Sequence, residues 1–170
     1  MEEHQLFLCL GGNLGPKAEN FHRALMLIEE RIGPLRKVSP VYASPPWGFR
    51  TRYPFWNQVA EVATRLSPEA VLREIGDIER LFGRKRGEGG YRSRKMDVDI
   101  LFYDRLVMAT GALTLPHPRL AERRFVLVPL ADIAPELIHP VTGMTVARML
   151  ATSSDPSAVT PVSPQKLHPR

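Results

Sequence analysis

Two stretches of this chain carry apolar residues at helical spacing, and each is bracketed by strand-like runs. Phe21, Ala24, Leu25, Ile28 and Ile32 recur at three- and four-residue intervals, as do Val71, Ile75, Ile78 and Phe82. That spacing puts each set on one helix face. Residues 5–10 read as a buried strand before the first helix, 36–43 and 55–65 as strands between the helices, and 96–103 as a strand after the second. The punctuation agrees with this division. Pro16 falls in the first turn of the first helix and Gly33-Pro34 ends it, while Ser67-Pro68-Glu69 supplies a cap, an N1 proline and an acid for the second. The order β-α-β-β-α-β predicts an α+β, ferredoxin-like core: an antiparallel sheet with both helices on one face. Residues 105–115 read as a hairpin partner for the last strand, and 125–134 and 144–151 as short added helices. These make one domain over 1–151. The Ser- and Pro-rich residues 152–170 should form a loosely ordered tail.

With 170 residues the chain has room for one real core and no second ordinary domain. One cysteine, Cys9, excludes an internal disulfide, and its apolar neighbours mark it as a buried thiol. The acidic start Met1-Glu2-Glu3-His4 and the short apolar run behind it do not make a signal peptide, and no run approaches a membrane span. A cytoplasmic protein without membrane partners is expected. The net charge of +5 leaves nucleic acid or a small anion open as a ligand. Arg80, Arg84, Lys85, Arg86, Arg92, Arg94 and Lys95 fall within 16 positions, and Arg119, Arg123 and Arg124 form a second group.

Asp97-Val98-Asp99 carries the chemistry. Positions two apart on a strand share a face, with Cα atoms roughly 6.6 Å apart at ~3.3 Å per residue. Val98, Ile100 and Phe102 would then face the core. A bare D-x-D is most often the solvent face of a strand. Here arginines crowd it, and carboxylates holding Mg²⁺ beside guanidinium groups are what a polyphosphate needs. No P-loop or protein-kinase pattern occurs. Glu79 reads as a helix-surface acid, and His117 as a loop histidine restrained between two prolines. Phe55, Trp56 and Phe125 could stack on a heterocycle or simply pack. Asn57 offers a donor and an acceptor. An RNA-binding module is the main rival, but acids on a strand face would repel phosphate unless metal is bound.

Six segments, in order, resemble one enzyme family. They are Leu10-Gly11-Gly12-Asn13-Leu14-Gly15; Tyr42-Ala43-Ser44-Pro45-Pro46-Trp47-Gly48; Phe55-Trp56-Asn57; Glu79 with Gly83-Arg84-Lys85-Arg86; Arg94-Lys95-Met96-Asp97-Val98-Asp99-Ile100-Leu101; and Pro116-His117-Pro118-Arg119 with Arg123-Arg124-Phe125. Over residues 5–140 the chain is similar to 6-hydroxymethyl-7,8-dihydropterin pyrophosphokinases. The resemblance implies transfer of pyrophosphate from ATP to the pterin hydroxymethyl group, with two Mg²⁺ ions on Asp97 and Asp99. It implies that Arg84 and Arg94 hold phosphates, that Arg86 and His117 assist at the nucleotide, and that Arg123 clamps the phosphate chain. Glu79, Ile100 and Thr114 would lie near the nucleotide. Phe55 and Phe125 would sandwich the pterin, with Ser44, Asn57, Asp97 and the backbone at Pro45 and Trp47 reading its edges. A monomer acting on small molecules, and on no nucleic acid, is expected.

Overall fold

The computed structural model describes residues 2–45, 53–84 and 93–167. Strand β1 (His4–Gly12) leads to α1 (Lys17–Arg31), β2 (Leu35–Val38), β3 (Tyr42–Ser44), β4 (Phe55–Thr64), α2 (Pro68–Leu81) and β5 (Asp97–Tyr103). The expected second strand is thus two short strands, β2 and β3, interrupted at Ser39-Pro40-Val41. Proline cannot donate to the ladder, and at this break Val59 N donates instead to the side chain of Ser39, whose Oγ accepts at 3.0 Å. The sheet runs β5-β1-β4-β3, with β2 also on β4, and each of these pairings is antiparallel. This is the ferredoxin-like order.

Strand β1 is hydrogen-bonded on both edges and buried from Leu6 to Gly12. Its even-numbered residues Leu6, Leu8 and Leu10 pack against Phe21, Ala24 and Ile28 of α1 and Val71, Ile75 and Ile78 of α2. Its odd-numbered Phe7 and Cys9 join a second core on the opposite face, with Val126, Leu127 and Leu130 of helix α3 (Arg124–Ile133) and Val146 and Met149 of α4 (Val146–Ala151). At α2, Ser67 Oγ accepts from Ala70 N at 3.2 Å, the cap expected at that serine.

Three differences from the sequence reading have local causes. Phe102 does not share a face with Val98 and Ile100. Leu8 pairs with Ile100 and Phe7 with Phe102, so Leu101 is an extra, unpaired residue and turns Phe102 to the α3 side. Residues 105–115 do form a hairpin, β6 (Met108–Ala109) with β7 (Thr114–Leu115), but as a separate two-stranded sheet. Tail residues 152–167 are tied down rather than loose. Thr160–Pro161 form β8 on the exposed edge of β3, and Val162 and Leu167 pack on the first core. An open strand edge offers unpaired backbone groups, which a few tail residues satisfy whatever their side chains.

The turn after β1 is held against the start of β5. Asn13 N and Leu14 N donate to Arg94 O at 2.8 and 3.0 Å, and Asn13 Oδ1 accepts from Arg94 N at 2.8 Å. Gly12 permits this approach: a Cβ there would lie 2.4 Å from the Lys95 carbonyl oxygen. Gly12→Ala should therefore lower stability by about 1–3 kcal/mol, read as a reduced urea midpoint at unchanged slope. An unaltered midpoint would mean that the Lys95 carbonyl yields without cost.

Candidate active site

Antiparallel register builds the site on the α3 face of the sheet. Asn57 of β4, Gly11 of β1 and Asp97 of β5 lie in one cross-strand row, and Val59, Cys9 and Asp99 in the next. Residues directly opposite one another share a face. Phe55 is two residues from Asn57 and therefore on the same side. Across β4, Tyr42 and Ser44 of β3 oppose Asn57 and Phe55. Gly11 leaves the centre of the row bare, since a Cβ there would come within 2.9 Å of Asn57 Nδ2. Asn57 is buried, and its Oδ1 meets no donor among the described residues. A buried acceptor in that state is costly unless a ligand donates to it.

Cations from three elements border the acid pair. Arg84, just past α2, places Nη1 3.0 Å from Asp97 Oδ1. Arg94, buried before β5, has Nε 3.5 Å from the same oxygen. Arg123 is buried at the N-cap position of α3, with its guanidinium 5.6 Å from the ring centre of Phe125. Burial pushes the Asp97 carboxyl above its ordinary range and Asp99 adds to the rise, while Arg84 and Arg94 oppose it. Burial lowers the basicity of His117, with Asp99 raising it and Arg123 lowering it further. Burial also pushes the Cys9 thiol up, with help from Asp99, so Cys9 is a packing residue.

Glu79 differs from the expected surface acid. Its side chain is only 12% exposed, and Oε2 accepts from Arg84 Nη1 at 3.1 Å and from Val98 N at 3.0 Å. One carboxylate thus ties the end of α2 to the strand that carries both aspartates. His117 follows the cis Leu115-Pro116 bond and donates its N–H to the carbonyl of Leu101 at 3.0 Å, the residue that the bulge leaves unpaired on β1.

The structure brings Asp97, Asp99, Arg84, Arg94, Arg123 and His117 into one electrostatic neighbourhood, and puts Ser44, Phe55 and Asn57 on the same sheet face. Phe125 is half-buried in the first turn of α3. Pro45 is exposed at the end of β3, and Thr114 is exposed on β7. The Ile100 side chain lies in the first core, so only its backbone can meet a ligand. Trp47 and Arg86 lie outside the described residues. Among the described residues there is no group of three or more His, Cys, Asp or Glu able to hold a metal ion. Two carboxylates on one face suit Mg²⁺, which binds few protein carboxylates and fills its shell with water and phosphate oxygens.

The family model for 7,8-dihydro-6-hydroxymethylpterin-pyrophosphokinase matches residues 7–135. The chain belongs to this family. The 2-amino-4-hydroxy-6-hydroxymethyldihydropteridine pyrophosphokinase of Porphyromonas gingivalis is 38% identical over 138 residues, covering 79% of this chain and 93% of the relative. Folic acid synthesis protein fol1 of Pneumocystis carinii is 38% identical over 148 residues, covering 86% of this chain. The chain spans only 20% of that longer protein. A solved HPPK-DHPS in complex with substrates superposes with TM-score 0.72 at 14% identity over 89% of this chain and 43% of its own length. A Plasmodium falciparum HPPK-DHPS triple mutant gives 0.73 at 16%, over 88% of this chain and 43% of its own. At such identity these structures show the fold.

For this pyrophosphokinase family member, sequence reading missed Asn13 as the clamp on Arg94. Besides holding the Arg94 backbone, its Nδ2 donates to Tyr53 O and Ser93 Oγ, each at 3.1 Å. An asparagine in a glycine-rich turn was the available signal, since its side chain readily bonds backbone.

Burial raises the Glu79 carboxyl to about 7, against the bonds from Val98 N and Arg84. The fold therefore binds this proton more tightly than the unfolded chain does. The group's contribution to stability is full below its ordinary value of 4.5 and declines as pH rises towards 7. Glu79→Gln keeps an acceptor and removes the titration. Relative to the unaltered protein, its Tm should gain a few degrees between pH 5 and pH 7. A constant Tm difference over that range would show Glu79 ionised throughout.

Proposed function

We propose that this chain is an ATP-dependent pyrophosphokinase that makes the pyrophosphate ester of 6-hydroxymethyl-7,8-dihydropterin for folate synthesis. The observation that carries the reading is the shared face of Asn57, Gly11, Asp97 and Asp99 beside Arg84, Arg94 and Arg123, within a chain of this family. Asn57 offers a buried acceptor to a ring N–H at one end of the row. The carboxylates and guanidinium groups suit a polyphosphate at the other. A pterin held on Asn57 thus lies next to the phosphates.

In the reaction the pterin hydroxymethyl oxygen bonds to the β-phosphorus. The bond from that phosphorus to the oxygen bridging the α-phosphorus breaks, AMP leaves with that oxygen, and the hydroxyl proton is released. The protein's task is to align the two substrates and meet the charge. Asp97 and Asp99 would hold two Mg²⁺ ions, which when bound neutralise phosphate charge. Arg84 and Arg94 sit where they can pass from Asp97 to phosphate oxygens, and Arg123 approaches from the α3 side. Phe55 and Phe125 are the aromatic groups for the pterin faces, and Ser44 and Asn57 the polar groups for its edges. His117 and the exposed Thr114 serve the nucleotide.

We take the enzyme to act on small molecules only, as a monomer in the cytoplasm. No helix among the described residues is long and apolar enough to cross a membrane.

Incubation with ATP, Mg²⁺ and 6-hydroxymethyl-7,8-dihydropterin should yield AMP and pterin pyrophosphate in equal amounts, followed by chromatography. Asp97→Ala should reduce turnover at least about 10²–10³-fold, the scale of losing one preorganised electrostatic contact. ADP as the nucleotide product would rule out pyrophosphoryl transfer. Full activity in Asp97→Ala would remove Asp97 from the site.

A further inference from the structure

Helix α3 opens without a cap of its own. Its N-cap residue is Arg123, whose side chain makes no capping bond and has no acceptor to offer. A side-chain oxygen normally meets the orphan N–H groups there. Here the oxygen comes from 31 residues further along, where Asp155 Oδ2 accepts from Arg124 N at 2.9 Å.

The carboxylate is itself oriented. Asp155 Oδ1 accepts from Ser157 N at 2.9 Å and from Ser157 Oγ at 2.6 Å. Asp155 N donates to Ser153 Oγ at 3.2 Å, and Ser153 N donates to the Leu150 carbonyl of α4 at 3.3 Å. Beyond Ser157 the chain reaches β8, which pairs with β3, and Val162 N donates to Val41 O at 2.9 Å. The segment therefore runs from α4 past the start of α3 to the strand carrying Ser44. It connects two walls of the site and lies beyond the 7–135 that the family model matches.

We infer that Asp155 is a positioning residue: by capping α3 from outside, it leaves the N-cap position to Arg123 and fixes the first turn that carries Arg123 and Phe125 into the site. The inference rests on the pyrophosphokinase reading above. Burial works to raise the Asp155 carboxyl, but the bonds from Ser157 and Arg124 N prevail and hold it below the usual carboxylate value. The cap is thus charged at neutral pH, which suits a helix N-terminus.

The test compares the unaltered protein with Asp155→Ala, Asp155→Asn and Thr145→Ala. Thr145 Oγ1 accepts from Arg148 N at 3.2 Å and caps α4, a helix to which no site residue is assigned. Asp155→Ala should raise KM for the pterin about fivefold, the scale of one lost cap, with kcat within about twofold of the unaltered value. Asp155→Asn should largely restore KM, because its carbonyl oxygen accepts the same N–H. Thr145→Ala should lower Tm without changing KM. An unchanged KM in Asp155→Ala, or an equal rise in Thr145→Ala, overturns the inference. Amide exchange at Arg124 and Phe125 tests the cap without turnover. It should quicken about fivefold in Asp155→Ala alone, and unchanged exchange overturns the inference too. Failure of the unaltered protein to make pterin pyrophosphate would instead overturn the functional reading, and the exchange measurement would still decide the cap.

Discussion

The pairing of β1 with β4 on one edge and β5 on the other decides which side chains reach the proposed site. Gly11 is placed between Asn57 and Asp97, and Cys9 between Val59 and Asp99. Because side chains alternate along a strand, a one-residue slip of β5 would send both aspartates into the core beneath α1 and α2. Val98 and Ile100 guard against this, since the same slip would expose them. The missing side chain at Gly11 keeps the middle of the row open, and Gly12 lets the backbone of Lys95 approach closely enough for Asn13 to hold Arg94. Two adjacent glycines thus serve opposite faces of one strand.

The second constraint is electrostatic. Burial raises the proton affinity of Asp97, and the Asp99 carboxylate on the same face adds to the rise. The guanidinium groups of Arg84 and Arg94 offset this from positions fixed by unrelated elements. Glu79 holds Arg84 by its side chain, and Asn13 holds Arg94 by its backbone. The same groups that oppose the rise at Asp97 are those a polyphosphate would engage, so the proposed ligand would exchange partners within a preassembled cluster rather than recruit charges from solvent.

The C-terminal third wraps what the core exposes. The face of β1 and β5 that carries the aspartates would be open to solvent without α3 and α4, which cover Phe7, Leu101 and Phe102. The bulge at Leu101 makes this possible by turning Phe102 towards α3 and leaving the Leu101 carbonyl for His117. The chain then passes Arg124 at Asp155 and closes the β3 edge with β8.

Local pattern determined much of this protein. The helical stripes, the Ser67 cap, the alternation of Asp97, Val98 and Asp99 and the β-α-β-β-α-β order follow from periodicity and turn chemistry, which act over a few residues. The joint spacing of motifs marked the family, because positions far apart in sequence must converge to serve one reaction. Tertiary structure decided the rest. Glu79 had the pattern of a surface acid, yet burial against β5 makes it a tie between Arg84 and Val98. The bulge at Leu101 depends on how β5 meets β1, which no property of residues 96–103 reveals. Tail residues 152–167, poor in large apolar side chains, become ordered through backbone pairing and one carboxylate on a distant helix end. Such contacts depend on which edges and caps the folded core leaves unsatisfied, and those exist only once the chain has packed.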